Sequence, residues 1–110
     1  MKARQGLCLA LCLSALLFAG CGTSIKKVQD NKNRYLADSS ITLKGQVTRG
    51  IRVPTLKPVV FEIDDGTGKM FVMNMNGEMP EKGRTKKVTG TLKENYQFAR
   101  QTFPLVLVEQ

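Results

Sequence analysis

Few side chains in this 110-residue sequence could carry chemistry. There is no histidine, which removes the commonest general base and the commonest nitrogen ligand for zinc, copper or haem. Asp64 and Asp65 have the types for acid–base work, but they open an Asp-Asp-Gly-Thr-Gly segment. Aspartates in such a turn bond neighbouring backbone amides, so capping is their expected role. Met70, Met73, Met75 and Met79 could offer thioethers to a soft metal; on a strand and its exit they are expected as core filler. With no phosphate-binding loop, metal-ligand spacing or triad in sight, the expectation is a non-catalytic protein without a cofactor. What remains is a mixture of cations and aromatics. Arg49, Arg52 and Lys57 lie in one stretch, and Tyr96, Phe98, Arg100 and Phe103 in another. That mixture suits a polymeric anion.

The other reactive group is the thiol of Cys21. Lys2 and Arg4 precede an uncharged apolar run over residues 7–19, and Ala19 and Gly20 lead into the cysteine. This is the layout of a secretory signal peptide with a small-residue cleavage site, and the run is too short to span a bilayer. The segment Phe18-Ala19-Gly20-Cys21 resembles the lipobox of bacterial lipoproteins, departing from it in Phe18, where Leu is usual. The resemblance implies a leader of residues 1–20, acylation of Cys21 and attachment to a membrane. Gly22 after the cysteine, by analogy with enteric bacteria, favours an outer membrane where the host has one. The protein would then sit at the cell envelope, facing the periplasm or the exterior.

Loss of the leader takes Lys2 and Arg4 with it and leaves 15 basic against 9 acidic side chains on 90 residues. A basic domain of that size favours anionic partners such as nucleic acid, lipid headgroups or acidic glycans. Cys8 and Cys12 lie in the leader, and lipid would consume Cys21, so no disulfide is expected. The fold must rest on its apolar core.

Residues 21–33 are polar with no clear apolar period and are expected to be a lipidated tether. A folded domain over residues 34–110 follows. Ile41, Leu43, Gly45 and Val47 alternate with polar residues, as in a half-buried strand. A basic loop is expected over residues 49–57. Residues 59–64 and 69–74 form a hairpin about the Asp-Gly-Thr-Gly turn, and residues 77–83 are a short link. Val88, Gly90 and Leu92 mark a fourth strand over residues 86–93. A loop over residues 95–104 leads to a fifth strand at 105–109. Five such strands indicate an all-β barrel or sandwich.

The order of Ile-Thr-Leu-Lys-Gly-Gln-Val, then Val-Phe-Glu-Ile-Asp-Asp-Gly-Thr-Gly-Lys-Met-Phe-Val, then Gly-Arg-Thr-Lys-Lys-Val-Thr-Gly-Thr-Leu resembles OB-fold domains, most closely the branch related to tRNA-anticodon-binding modules. The resemblance implies a five-stranded Greek-key barrel, though the usual helix between strands three and four has no room. An envelope OB protein, the haem chaperone of cytochrome c maturation, needs a histidine this chain lacks.

OB folds bind ligands on the outer face of strands two and three, rimmed by two loops. Carried over, Met70 and Val72 face the interior while Phe71 and Met73 lie outside, beside Val60 and Glu62. Arg49, Arg52 and Lys57 would rim this face from one loop, and Tyr96, Phe98 and Arg100 from the other. The expectation is a lipid-anchored binding module of the envelope whose ligand is a partner protein or an anionic polymer. The alternative is a single-stranded nucleic-acid-binding protein.

Overall fold

The computed structural model describes residues 23–38 and 40–110; the leader and Cys21 lie outside them. Five strands form the domain: β1 (Ile41–Arg52), β2 (Val59–Asp64), β3 (Lys69–Asn74), β4 (Thr85–Phe98) and β5 (Gln101–Glu109). They close into a ring in the order β1-β2-β3-β5-β4. All neighbours are antiparallel except β3 and β5, which run parallel with Phe71 opposite Val106. This is the five-stranded OB-type barrel.

The period of two explains the core. Ile41, Leu43, Val47, Phe61, Ile63, Met70, Val72, Val88, Leu92 and Leu107 point inward and pack as one buried cluster. Two glycines let the ring close tightly. A Cβ on Gly45 would stand 3.0 Å from the Asp64 backbone, and one on Gly90 would run into the Val108 carbonyl. Where the OB helix is usually inserted, the connection over residues 75–84 contains no helix, and Met79 packs against the core instead.

The polar tether expected at residues 21–33 is corrected by the structure from residue 25 onward. Helices α1 (Ile25–Asp30) and α2 (Lys32–Leu36) close the barrel mouth beside the β2–β3 turn. Ile25 and Val28, three apart and so on one helix face, are both fully buried, and Tyr35 joins them. Ser24 caps α1 by accepting from the Lys27 amide, and Lys32 pairs with Glu94 at 2.6 Å. Over residues 22–33 Ile25 and Val28 are the two large apolar side chains, too weak a period to stand out. Fully burying them is nevertheless worth about 1.5–3 kcal/mol each.

Two expected loops are also corrected. A β-bulge between Val47 and Arg49 lets β1 run on to Arg52, opposite Val59, so the loop after it spans only residues 53–58. The expected loop over residues 95–104 is a β-hairpin arm in which Tyr96 faces Phe103 and Phe98 faces Gln101. Its tip is Ala99 and Arg100, at φ of 53° and 63°. A two-residue turn of type I′ needs positive φ at both places, which Asn-Gly usually supplies. Ala-Arg carries no such signal.

Candidate nucleic-acid interface

Alternation along β2 and β3 sends Val60, Glu62, Phe71 and Met73 to the outside of the ring, as expected. Their surroundings differ from that expectation. Val60, Met73, Phe103 and Val106 form a second buried cluster, with Ile51, Phe71, Tyr96, Phe98 and Val108 packed against it. The arm thus folds its aromatic side over the outer face. Met73 is fully buried and so is not open to a ligand. Phe71 stays half-buried, edge-on to Phe103 with centroids 5.2 Å apart and planes at 67°.

On the open side of Phe71 lies Arg49, its guanidinium carbon 5.2 Å from the ring centroid. Glu62 holds it there. This carboxylate is 8% exposed, accepts the Thr48 hydroxyl at 2.8 Å and faces Arg49 Nε at 3.4 Å. Glu62 is therefore a positioning group for Arg49 rather than a surface contact. The bulge makes this possible, because it sets Arg49 opposite Glu62. A cation over an aromatic ring at an exposed site is worth about 0.5–1 kcal/mol. The Arg49 side chain remains 61% exposed, and its terminal nitrogens have no ion-pair partner among the described residues. The result is a cation-over-ring plate on the barrel's outer wall.

The other candidate residues scatter around this plate. Arg52 Nη2 donates to the Gly77 carbonyl at 2.8 Å, so it ties β1 to the β3–β4 connection. Lys57 is exposed on the short loop, its backbone carbonyl against Gly77. Tyr96 and Phe98 are half-buried in the arm, and Arg100 is exposed at its tip. The structure thus unites Arg49, Glu62, Phe71, Tyr96 and Phe98 on one face. It places Arg52 elsewhere and removes Met73 from reach. Thr48 and Ile51 escaped the sequence reading, since only the bulge puts Ile51 in phase with Val60.

The aspartates of the turn do what their spacing implies. Asp64 Oδ1 accepts the Gly66 amide at 2.8 Å. Asp65 Oδ1 accepts the Thr67 amide and hydroxyl at 2.8 and 2.5 Å and the Gly68 amide at 3.2 Å. Its Oδ2 accepts the Ile25 amide at 2.8 Å, so one carboxylate staples the turn to α1. Partial burial pushes its pKa up, but the Thr67 hydroxyl and the amides of Ile25, Thr67 and Gly68 outweigh that and hold it below its ordinary value. The methionines do not converge: Met70 is inside the barrel, Met73 outside it under the arm, and Met75 exposed. Among the described residues, no group of three His, Cys, Asp or Glu side chains could hold a metal ion. No helix among them is long and apolar enough to cross a membrane.

No family model and no curated protein matches the chain. Among solved structures it is similar to a chain of a Replication Protein A heterotrimer bound to single-stranded DNA, with 20% identity and a TM-score of 0.51. The match covers 66% of this chain and 53% of that one, so this chain corresponds to about half of the other's length. At that identity the likeness shows the OB fold.

Proposed function

We propose that this chain is a non-catalytic OB-fold binding module, held at the bacterial cell envelope by lipid on Cys21. Its outer β2–β3 face takes an extended anion, with single-stranded nucleic acid as the favoured class. The observation that carries this reading is the Arg49–Phe71 plate. A planar cation over a ring offers a base something to stack on and a phosphate something to pair with, and stacking is worth roughly 1–3 kcal/mol per base. Half-exposed Tyr96 and Phe98 extend the same surface, and the basic balance of the chain suits it. The similar OB chain comes from a complex with single-stranded DNA, which adds to the case. The absence of histidine, and of any convergent nucleophile and base among the described residues, supports a binding role over catalysis.

The test is fluorescence anisotropy of a labelled oligothymidylate across a salt series. Affinity should fall as salt rises, because bound phosphates release counterions. Phe71→Ala should weaken binding about tenfold at every salt concentration. Arg49→Ala should weaken it and also lower the salt slope by about 0.7. No binding at low salt, or binding that neither substitution changes, refutes the nucleic-acid reading. The apolar rim of Ile51, Phe98 and Val108 around the plate favours a second reading, a partner protein on the same face. Capture of an envelope protein by the wild type and not by Phe71→Ala would select it.

A further inference from the structure

The seam between β1 and β4 lies across the ring from β3, and its outer surface has a different chemistry from the face just described. From Thr42 to Gln46 and from Thr85 to Lys93 the outward positions hold only lysine, threonine and one glutamine. Lys44 and Lys87 stand directly opposite each other in the ladder. Both are exposed, and neither has an ion-pair partner among the described residues. Like charges directly across a sheet are destabilising, so folding gives no reason for this pair. The neighbouring pair, Thr42 and Thr89, joins hydroxyls at 2.9 Å. Beyond Thr85 the exposed Lys82 and Arg84 continue the strip, bordered by Glu81. Gln46 Nε2 pins that turn by donating to the Gly83 carbonyl at 3.0 Å. The result is a sheet face rich in cations and hydroxyls, with Glu78 and Glu81 lining the same hollow as Arg84 and Lys87 at its end.

A second observation says what could cover it. The Ile25 amide is bonded to Asp65, and Ile25 packs on Gly68, so the chain is fixed to the β2–β3 turn from that residue onward. Cys21 is only four residues earlier. Four residues reach about 14 Å at most. A lipid on Cys21 would therefore hold the turn close to the headgroups, not at the end of a loose tether. The basic strip begins beside that turn: Gln46 pairs with Asp64 across β1 and β2, and Lys44 lies two residues further along β1.

We propose that the β1–β4 strip, through Lys44, Lys87, Lys82 and Arg84, rests on an anionic bilayer surface. In that pose the Arg49–Phe71 plate faces away from the membrane and stays open to its ligand. The orientation rests on the lipid anchor proposed above, whereas the basic strip is independent of it.

The test is lysine footprinting of the full lipidated chain on two kinds of vesicle, phosphatidylcholine alone and phosphatidylcholine with phosphatidylglycerol. Acylation rates are read by peptide mass spectrometry. Lys44 and Lys87 should react about fivefold slower on the anionic vesicles, given the attraction of each cation to such a surface, and high salt should remove the difference. Lys57 should react equally on both. Equal rates for Lys44 and Lys87 on the two vesicles overturn the proposal, as does protection by an oligonucleotide but not by anionic lipid. Flotation with the phosphatidylcholine vesicles reports the anchor separately. A chain that fails to float there but shows Lys44 and Lys87 protected by anionic lipid loses the anchor and keeps the strip.

Discussion

Replacing Asp65 should loosen the barrel and its helical plug together. One carboxylate accepts four hydrogen bonds, three from the Asp-Gly-Thr-Gly turn and one from the first residue of α1. A hydrogen bond to a charged group contributes about 1.5–3 kcal/mol, but these four share one group and their freed amides can reach water. Asp65→Ala should therefore cost about 2–4 kcal/mol. Asp65→Asn keeps an oxygen for the turn and loses the charge and the Ile25 bond, so about 1–2 kcal/mol is expected. The Asp65→Asn loss lies below the roughly 3–6 kcal/mol gained by burying Ile25 and Val28, so in that variant α1 should stay docked with a faster-exchanging Ile25 amide. The pH dependence follows from the lowered pKa of Asp65. Its contribution is fully present above the unfolded carboxylate value of about 3.9. It is lost as pH falls through the lower folded value. Urea unfolding of wild type and Asp65→Asn from neutral pH down to below that value measures this directly. The gap between the two should be constant at neutral pH and close on acidification. A gap under about 0.5 kcal/mol for Asp65→Ala at neutral pH, or one that acid leaves unchanged for Asp65→Asn, would refute the staple.

Two further outcomes test the corrected elements. Val28→Asp should unfold the domain or release α1, costing more than about 3 kcal/mol, whereas a mere tether would tolerate it; urea midpoints and hydrogen exchange at the β2–β3 turn decide. Ala99→Asn with Arg100→Gly should raise stability by about 1–2 kcal/mol in thermal melts, because both positions have positive φ.

Much of the barrel was legible because strands advertise themselves locally. Alternation in residues 41–48, 59–64, 69–74 and 86–93 shows which side of each strand is buried, and the Asp-Gly-Thr-Gly turn joins the middle pair whatever surrounds it. The candidate site was half legible. Phe71 could be assigned to the outer side of β3 from parity alone, yet parity says nothing about what lies over a residue, and so Met73 was misjudged. The arm leaves no local signal, because Ala99-Arg100 has no turn chemistry and Asn95 lies within β4 at a φ of 51°.

The sequence by itself determined the strand faces, the turn and its aspartate caps, the lack of histidine chemistry and the basic balance. These are properties of neighbouring residues, set by pleat geometry, backbone dihedrals and composition. Only the tertiary structure decided that the apparent tether is the barrel's plug, that Glu62 holds Arg49 over Phe71, and that Lys44 stands opposite Lys87 on an exposed sheet face. Each of those depends on residues far apart in sequence brought into register by ring closure and a single bulge. A one-residue change of register reverses which side chains meet, and no local pattern records it.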